Sequence, residues 1–384
     1  MLARNRPPRN DFYKTTAELP FVSVVMSLYN EEAVIQQKLA SLQNLDYPQE
    51  RLHFFIGSDC SADRTNEIVS AQAEDQTQFH FFAFRERRGK PAVINDLVKK
   101  AKENYSKKSN SQEKSFADKS VPHILLVTDA NVMLEPETLR NLVRHFKNEK
   151  IVIVDANMLN EGLREQGISR SENRYLSGEV QLKYNEGLVW GKMIGPFGGC
   201  YAIRADWFSP VPLQNLVDDF YICMRVLERN GLTINDLDAV CYEAATHRIE
   251  DEYKRKTRIS AGNYQNLSTF HNLWLPPFKI VDFAFLSHKV LRWWGIFFMV
   301  ISMIASGILA YAGSPIYTII FGAWLFFFVG IPTVDFILKK LNIHIPLLRN
   351  LSYFVWMNIA LGQGFFRYLK GIEKGTWEPT VRAE

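Results

Sequence analysis

From Trp293 to Tyr311 the chain runs for 19 residues without a charged side chain, and from Pro315 to Val334 for another 20. At about 1.5 Å of rise per residue, each stretch forms a helix close to the roughly 30 Å of hydrocarbon in a bilayer. Trp293, Trp294 and Tyr311 stand at the ends, where aromatic belts form. Two buried core helices would leave a similar trace; the length and the flanks favour membrane helices at 293–311 and 315–334. The turn between them, Ala312 to Ser314, is neutral, whereas Lys289, Arg292, Lys339 and Lys340 lie outside it. The positive-inside rule then predicts a hairpin with both ends in the cytosol. The segment 350–366 is mixed, with Asn350, Ser352, Asn358 and Gln363 inside it and Arg349, Arg367 and Lys370 around it. It reads as a third span or as a helix lying in the interface. Residues 271–292 interleave aromatics with Lys279, His288 and Lys289, the pattern of an interfacial amphipathic helix or an ordinary surface helix. Residues 367–384 form a C-terminal tail.

The rest of the chain is soluble in character, which holds the mean hydropathy of the whole at −0.13. A net charge of +4 gives no basic stripe, so no nucleic-acid partner is expected. Cys60, Cys200, Cys223 and Cys241 form no CxxC pair and no zinc spacing, and read as reduced thiols. The N-terminal tail, 1–20, is basic but lacks an apolar core, so no secretory signal is read there. The domain that follows is expected in the cytosol.

Between Phe21 and Val154 apolar, β-branched runs alternate with segments of helical spacing. Phe21 to Tyr29, Leu52 to Gly57, Phe79 to Phe84 and His123 to Thr128 read as strands, and Val152 to Val154 begins a fifth. Helices are predicted over Glu31 to Leu45, Asn66 to Ala73, Ala92 to Ala101 and Pro136 to Phe146. Residues 105–120 are rich in Ser, Lys and Asn and read as a flexible surface insert. The alternation predicts an α/β domain over 21–270 with a mostly parallel sheet and helices on both faces. In such sheets ligands sit beyond the carboxyl ends of the strands.

Acidic residues recur at those ends: Asp59 in Gly57-Ser58-Asp59, Asp129 in Thr128-Asp129-Ala130-Asn131, and Asp218 and Asp219 in a later turn. A lone Asp after a strand is commonly a helix cap or an Asx-turn. Several converging carboxylates suit a hard divalent cation and a diphosphate. Arg87-Arg88-Gly89-Lys90 brings cations to a glycine, where backbone can approach phosphate, or else is a solvated basic turn.

In order and spacing these motifs resemble the membrane-bound branch of family 2 glycosyltransferases, the inverting enzymes of GT-A type related to cellulose, hyaluronan and poly-N-acetylglucosamine synthases. The resemblance covers about Phe21 to Leu267 and, more loosely, the apolar tail. It implies a GT-A domain, a Rossmann-like mixed sheet, followed by interfacial and transmembrane helices. It implies that Tyr29, Asn30, Glu31, Asp59 and Lys90 bind the donor nucleotide. Asp129 and Asn131 stand where the family carries its DxD metal motif, with Asn replacing the second Asp, and imply Mg2+ or Mn2+. Gly198 and Gly199, in Phe197-Gly198-Gly199-Cys200, resemble the acceptor-side loop, with Asp218 and Arg255 beside it. Val217-Asp218-Asp219 stands for Thr-Glu-Asp, which makes Asp219 the general base. Arg255-Lys256-Thr257-Arg258-Ile259 stands where processive members carry Gln-x-x-Arg-Trp. Only Arg258 is kept, as a diphosphate-stabilising catalytic residue, or the stretch is a charged helix face.

The missing Trp favours transfer of one or a few sugars, from a UDP-sugar by resemblance, to a membrane-proximal glycan or lipid-linked acceptor in cell-surface polysaccharide or glycolipid synthesis. A processive synthase is the alternative. The resemblance also places the chain in a bilayer, as an integral protein of a bacterial inner membrane. A catalytically silent nucleotide-sugar scaffold would bind donor without turnover. A dinucleotide-dependent oxidoreductase would need a GxGxxG after the first strand, which is absent from the sequence.

Overall fold

The computed structural model describes residues 18–74, 76–110, 121–161, 168–244, 249–343, 345–372 and Gly375. They fall into two compact units, one made of the described residues within 18–161 and 177–244 with Gly375, the other of those within 168–176 and 249–372.

The first unit is built on an eight-stranded sheet. Its strands are β1 (Phe21–Leu28), β2 (Leu52–Asp59), β3 (Phe79–Phe84), β4 (His123–Thr128), β5 (Val132–Leu134), β6 (Ile151–Glu161), β7 (Cys200–Arg204) and β8 (Leu232–Ala244). The order is β3-β2-β1-β4-β7-β6-β8-β5. The first four positions are parallel, as the alternation predicts. Further along the sheet is mixed, as the resemblance implies: β6 pairs parallel with β8, whereas β7 runs antiparallel to both β4 and β6 and β5 runs antiparallel to β8. β1, β2 and β4 are buried along their whole length, which is why apolar residues dominate them without a strict alternation. Each fully buried Val, Ile, Leu or Phe in them contributes about 1.5–3 kcal/mol relative to exposure.

The helices of this unit are α1 (Glu32–Gln43), α2 (Thr65–Glu74), α3 (Lys90–Asn110), α4 (Thr138–Val143), α5 (Ile168–Trp190), which enters it at Ser177, and α6 (Asp218–Glu228). α1 buries Ile35, Lys38, Leu39 and Leu42, one stripe at helical spacing. α3 runs nine residues past the expected end at Ala101. The first part of the expected insert is therefore helical, and residues 111–120 of it lie outside the described residues.

The second unit contains α7 (Ile249–Thr269), α8 (Ile280–Phe285), α9 (Leu291–Trp293), α10 (Gly295–Tyr311), α11 (Pro315–Leu325), α12 (Ile331–Lys340) and α13 (Pro346–Leu369). A π-turn at Phe326–Gly330 joins α11 and α12 into one helix over Pro315–Lys340. That helix is long and apolar enough to cross a membrane, and only 6% of its most apolar stretch is buried. Ile280–Trp293 and Gly295–Tyr311 pass the same test together, bent by 55° at the break. α13 packs on α7, where Ser260 Oγ donates to the Leu361 carbonyl at 2.8 Å and Tyr264 meets Phe365 edge to face. Gly364 permits this, since a Cβ there would lie 2.8 Å from the Thr257 carbonyl. Arg349 and Asp335 tie α13 to α12 at 2.9 Å. Lys289, expected as a flanking charge, is buried.

Candidate active site at the carboxyl edge of the sheet

Lys90 is the hub of the site. It opens α3, and its Nζ lies 2.8 Å from Asp129 Oδ1 and 3.6 Å from Asp218 Oδ2. Burial pulls its pKa down, but Asp129, Asp218 and Asp219 outweigh it and hold the ammonium well above its ordinary value. Asp129 follows β4, and its amide donates to the Gly199 carbonyl at 3.0 Å. Asp218 and Asp219 are the first two residues of α6, where the helix dipole favours negative charge. Burial first, then the neighbouring Asp218 carboxylate, pushes the Asp219 pKa up to about 7 against the pull of Lys90. Asp218 is buried, and its Oδ2 accepts no hydrogen bond from the described residues.

The two glycines are fitted to this arrangement. Gly198 sits at φ +85°, and a Cβ there would overlap the Asp219 carboxylate. A Cβ on Gly199 would collide with Met158 and lie 2.9 Å from Val132. Beneath the loop, Asp155 accepts the Phe197 amide at 3.2 Å and lies 3.6 Å from Lys183, whose ammonium caps the Phe197 ring.

Asp59 joins the same edge through the basic turn. Its two carboxylate oxygens accept the Arg88 amide at 2.7 Å and the Gly89 amide at 2.9 Å, so it fixes the turn from which Lys90 projects. Gly89 has φ +86°, a conformation that favours glycine. The turns after β1 and β2 are stitched together. Asn30 Oδ1 accepts the Ala62 amide at 2.8 Å, and the Glu31 amide donates to Thr65 Oγ1 at 2.8 Å. The Arg87 guanidinium lies 3.3 Å from the centre of the Tyr29 ring, a cation–π contact.

Asp59, Asp129, Asp218, Asp219, Lys90, Gly198 and Gly199 are thus linked in one unit, with Tyr29, Asn30 and Glu31 on the adjoining turn. Arg255 and Arg258 lie on α7 of the second unit, where Arg255 and Lys256 flank Glu252 at 3.7 and 3.2 Å. Two residues escaped the sequence reading. Lys38 is fully buried; its Nζ donates to Thr128 Oγ1 at 2.8 Å and to the Val132 carbonyl, spanning the Asp129 turn from below. A lysine inside the apolar stripe of α1 was the available signal. Glu243, on β8, accepts a 2.7 Å hydrogen bond from Asn131 Nδ2, and nothing local in the sequence marks it.

Asp129, Asn131 and Asp218 offer hard oxygen donors of the kind Mg2+ and Mn2+ take. Among the described residues no three His, Cys, Asp or Glu side chains converge into a ready-made cage. An ion held by these oxygens would complete its shell with phosphate oxygens and water, the usual habit of Mg2+.

Comparison with known proteins gives the family and the fold. The family model described as glycosyl transferase family 2 matches residues 23–209, and that of glycosyl transferase family group 2 matches residues 124–361. The probable glycosyltransferase YdaM of Bacillus subtilis is 47% identical over 57 residues, 15% of this chain and 14% of that protein. The beta-monoglucosyldiacylglycerol synthase of Trichormus variabilis is 24% identical over 273 residues, 69% of this chain and 54% of its own length. The chain thus spans about half the length, or less, of the curated relatives it matches. The mannosyltransferase PcManGT from Pyrobaculum calidifontis, solved with GDP-Man and Mn2+, superposes with a TM-score of 0.65 at 19% identity, over 94% of this chain and 90% of that one. The fold is the GT-A type of mixed α/β sheet.

Proposed function

Because the chain belongs to glycosyl transferase family 2, we propose that it moves a sugar from a nucleotide-diphosphate sugar to a hydroxyl of a lipid-linked or membrane-proximal acceptor, with inversion at the anomeric carbon. The observation that carries this reading is the Lys90 ammonium set between Asp129 and Asp218, with the Asp219 carboxylate beside them. A cation among carboxylates at a sheet edge suits a leaving diphosphate, and an acid whose pKa is about 7 suits a general base.

In this mechanism Asp219 takes the proton from the acceptor hydroxyl as that oxygen attacks the anomeric carbon. The bond from that carbon to the diphosphate oxygen breaks, and its electron pair leaves with the nucleotide diphosphate. Lys90 stabilises the charge that develops there, and Arg258 of α7 is proposed to share that work. Asp129 and Asn131 would hold Mg2+ or Mn2+, which supplies further charge neutralisation when bound. Tyr29, Asn30, Glu31 and Asp59 are assigned to the nucleotide, with UDP as the proposed carrier. Gly198, Gly199, Asp218 and Arg255 are assigned to the acceptor side.

The acceptor assignment draws on the diacylglycerol in the name of the Trichormus relative and on the apolar helix Pro315–Lys340. We place that helix and the bent pair before it in the bilayer, both ends of the hairpin and the catalytic domain being cytosolic.

The test is nucleotide release from a panel of UDP-, GDP- and dTDP-sugars, with Mg2+ or Mn2+, using wild type and Asp219→Asn. The variant should lose transfer by at least about a thousandfold while binding donor within about threefold of wild type. Near-normal turnover of that variant would remove Asp219 as the base. Full activity in EDTA would remove the ion from Asp129.

A further inference from the structure

Asn131 stands where a second carboxylate is expected, so the pair Asp129 and Asn131 carries one negative charge instead of two. The fold brings another carboxylate to that position. β5 and β8 pair antiparallel with Val132 opposite Glu243, and this register sets Asn131, the residue before β5, beside the Glu243 side chain. Asn131 is 9% exposed, and its Nδ2 donates to Glu243 Oε1 at 2.7 Å. A carboxylate can only accept, so this bond fixes the amide with its nitrogen toward Glu243 and its carbonyl oxygen turned away, ready to serve as an acceptor or ligand.

We infer that Glu243 is a positioning residue of the cation site: it orients Asn131 and returns to the donor set the charge that Asn131 lacks. The inference rests on the reading of Asp129 and Asn131 as cation ligands. Affinity at oxygen sites follows the number of charged ligands and the rigidity of the site, and groups that orient ligands commonly change metal affinity by about 10- to 100-fold when replaced. Glu243 lies 112 residues from Asn131, so the compensation exists only in the folded sheet.

The experiment is titration of Mn2+ into the full chain in detergent, alone and with UDP or GDP, followed by isothermal calorimetry and by the loss of the free Mn2+ electron-spin signal. In Glu243→Gln the side-chain carbonyl still accepts the Asn131 bond, so the contact survives and only the charge is lost. A purely structural role would leave Mn2+ affinity unchanged, whereas this proposal expects a loss of about tenfold or more. In the double variant Asn131→Asp/Glu243→Gln the bond reverses, the introduced side-chain amide at position 243 now donating, and the charge moves back to position 131. Affinity should return to within about threefold of wild type, in line with a restored ligand charge count. Asp129→Asn is the control for the underlying site. If Asp129→Asn weakens Mn2+ binding but Glu243→Gln leaves it within about twofold of wild type, the role of Glu243 is overturned and the site stands. If the double variant stays as weak as Glu243→Gln, charge compensation is overturned. If Asp129→Asn binds Mn2+ as wild type does, or wild type binds none in any arm, the cation reading fails and this inference with it.

Discussion

Gly198 and the Asp219 carboxylate are packed so closely that a Cβ at position 198 would lie 2.8 Å from Asp219 Cγ. The glycine also stands at φ +85°, where a side chain is strained whatever the space. Gly198→Ala should therefore displace the proposed base without touching the Lys90–Asp129 pair. We expect turnover to fall by about a hundredfold or more, since small misplacements of reacting groups cost that much, while donor affinity changes little. Steady-state kinetics beside equilibrium donor binding check this; equal losses in both would place Gly198 in donor binding instead.

Asp219 must be ionised to accept a proton, and its pKa is pushed up to about 7 by burial and by Asp218. The rate at low donor concentration should thus rise with pH through an acid limb centred near 7. Asp218→Asn removes the like charge, lowers the Asp219 pKa and should move that limb to lower pH. A limb that stays in place in this variant would show that Asp218 does not set the titration.

Lys38 lies under the Asp129 turn, bound to Thr128 and to the Val132 carbonyl. Burial lowers its pKa to about 8, against the opposing influence of Cys200, Cys241 and Asp129. Lys38→Met keeps the stem but leaves the Val132 carbonyl without this donor. The cost should be about 1–3 kcal/mol, that of an unmet buried polar group. Denaturant unfolding of wild type and variant in the same detergent measures it, and a change under about 0.5 kcal/mol would count against the clamp.

At the opposite edge of the sheet, burial pushes the pKa values of His53 and His123 down to about 3. Lys108 and His80 reinforce the shift at His53, and Lys102 and His53 that at His123. Both imidazoles are neutral in the fold and take up protons near pH 6.5 once unfolded. Below that pH the unfolded chain binds more protons, so stability is full above about 6.5 and falls as pH drops toward about 3. Each histidine contributes a slope of up to about 1.4 kcal/mol per pH unit. Asp155 and Asp219, whose pKa values are raised, titrate in the opposite sense over part of this range. The histidine contribution is therefore the difference in slope between wild type and His53→Asn/His123→Asn, followed by unfolding between about pH 7.5 and 5. Parallel slopes would contradict it.

The strands that support the site were legible because their burial is complete: eight consecutive buried residues in β1 leave an apolar run interrupted only by Ser23 and Ser27. Asp59 and Asp129 were legible because one closes and the other follows such a strand, whereas Asp218 and Asp219 follow no strand and open α6. β5 was not, since its three residues are too few to show a period. The last turns of α3 were missed because a polar helix rich in Lys and Ser resembles a loop in composition. The antiparallel entry of β7 also left no trace, because strand direction is set by the path of the chain around it.

By itself the sequence determined the α/β alternation, the acids at strand ends and the charge-free tail, because each is a matter of what neighbouring residues must bury. Only the tertiary structure decided that Lys90 meets Asp129, that Lys38 underpins the turn between Thr128 and Val132, and that Glu243 reaches Asn131. Lys90 and Asp129 lie 39 residues apart, Lys38 and Thr128 lie 90 apart, and Asn131 and Glu243 lie 112 apart. A charge buried in a protein is stable only beside its counter-charge or a hydrogen-bonding partner, and over such separations that partner is chosen by sheet register and helix packing, which no local pattern records.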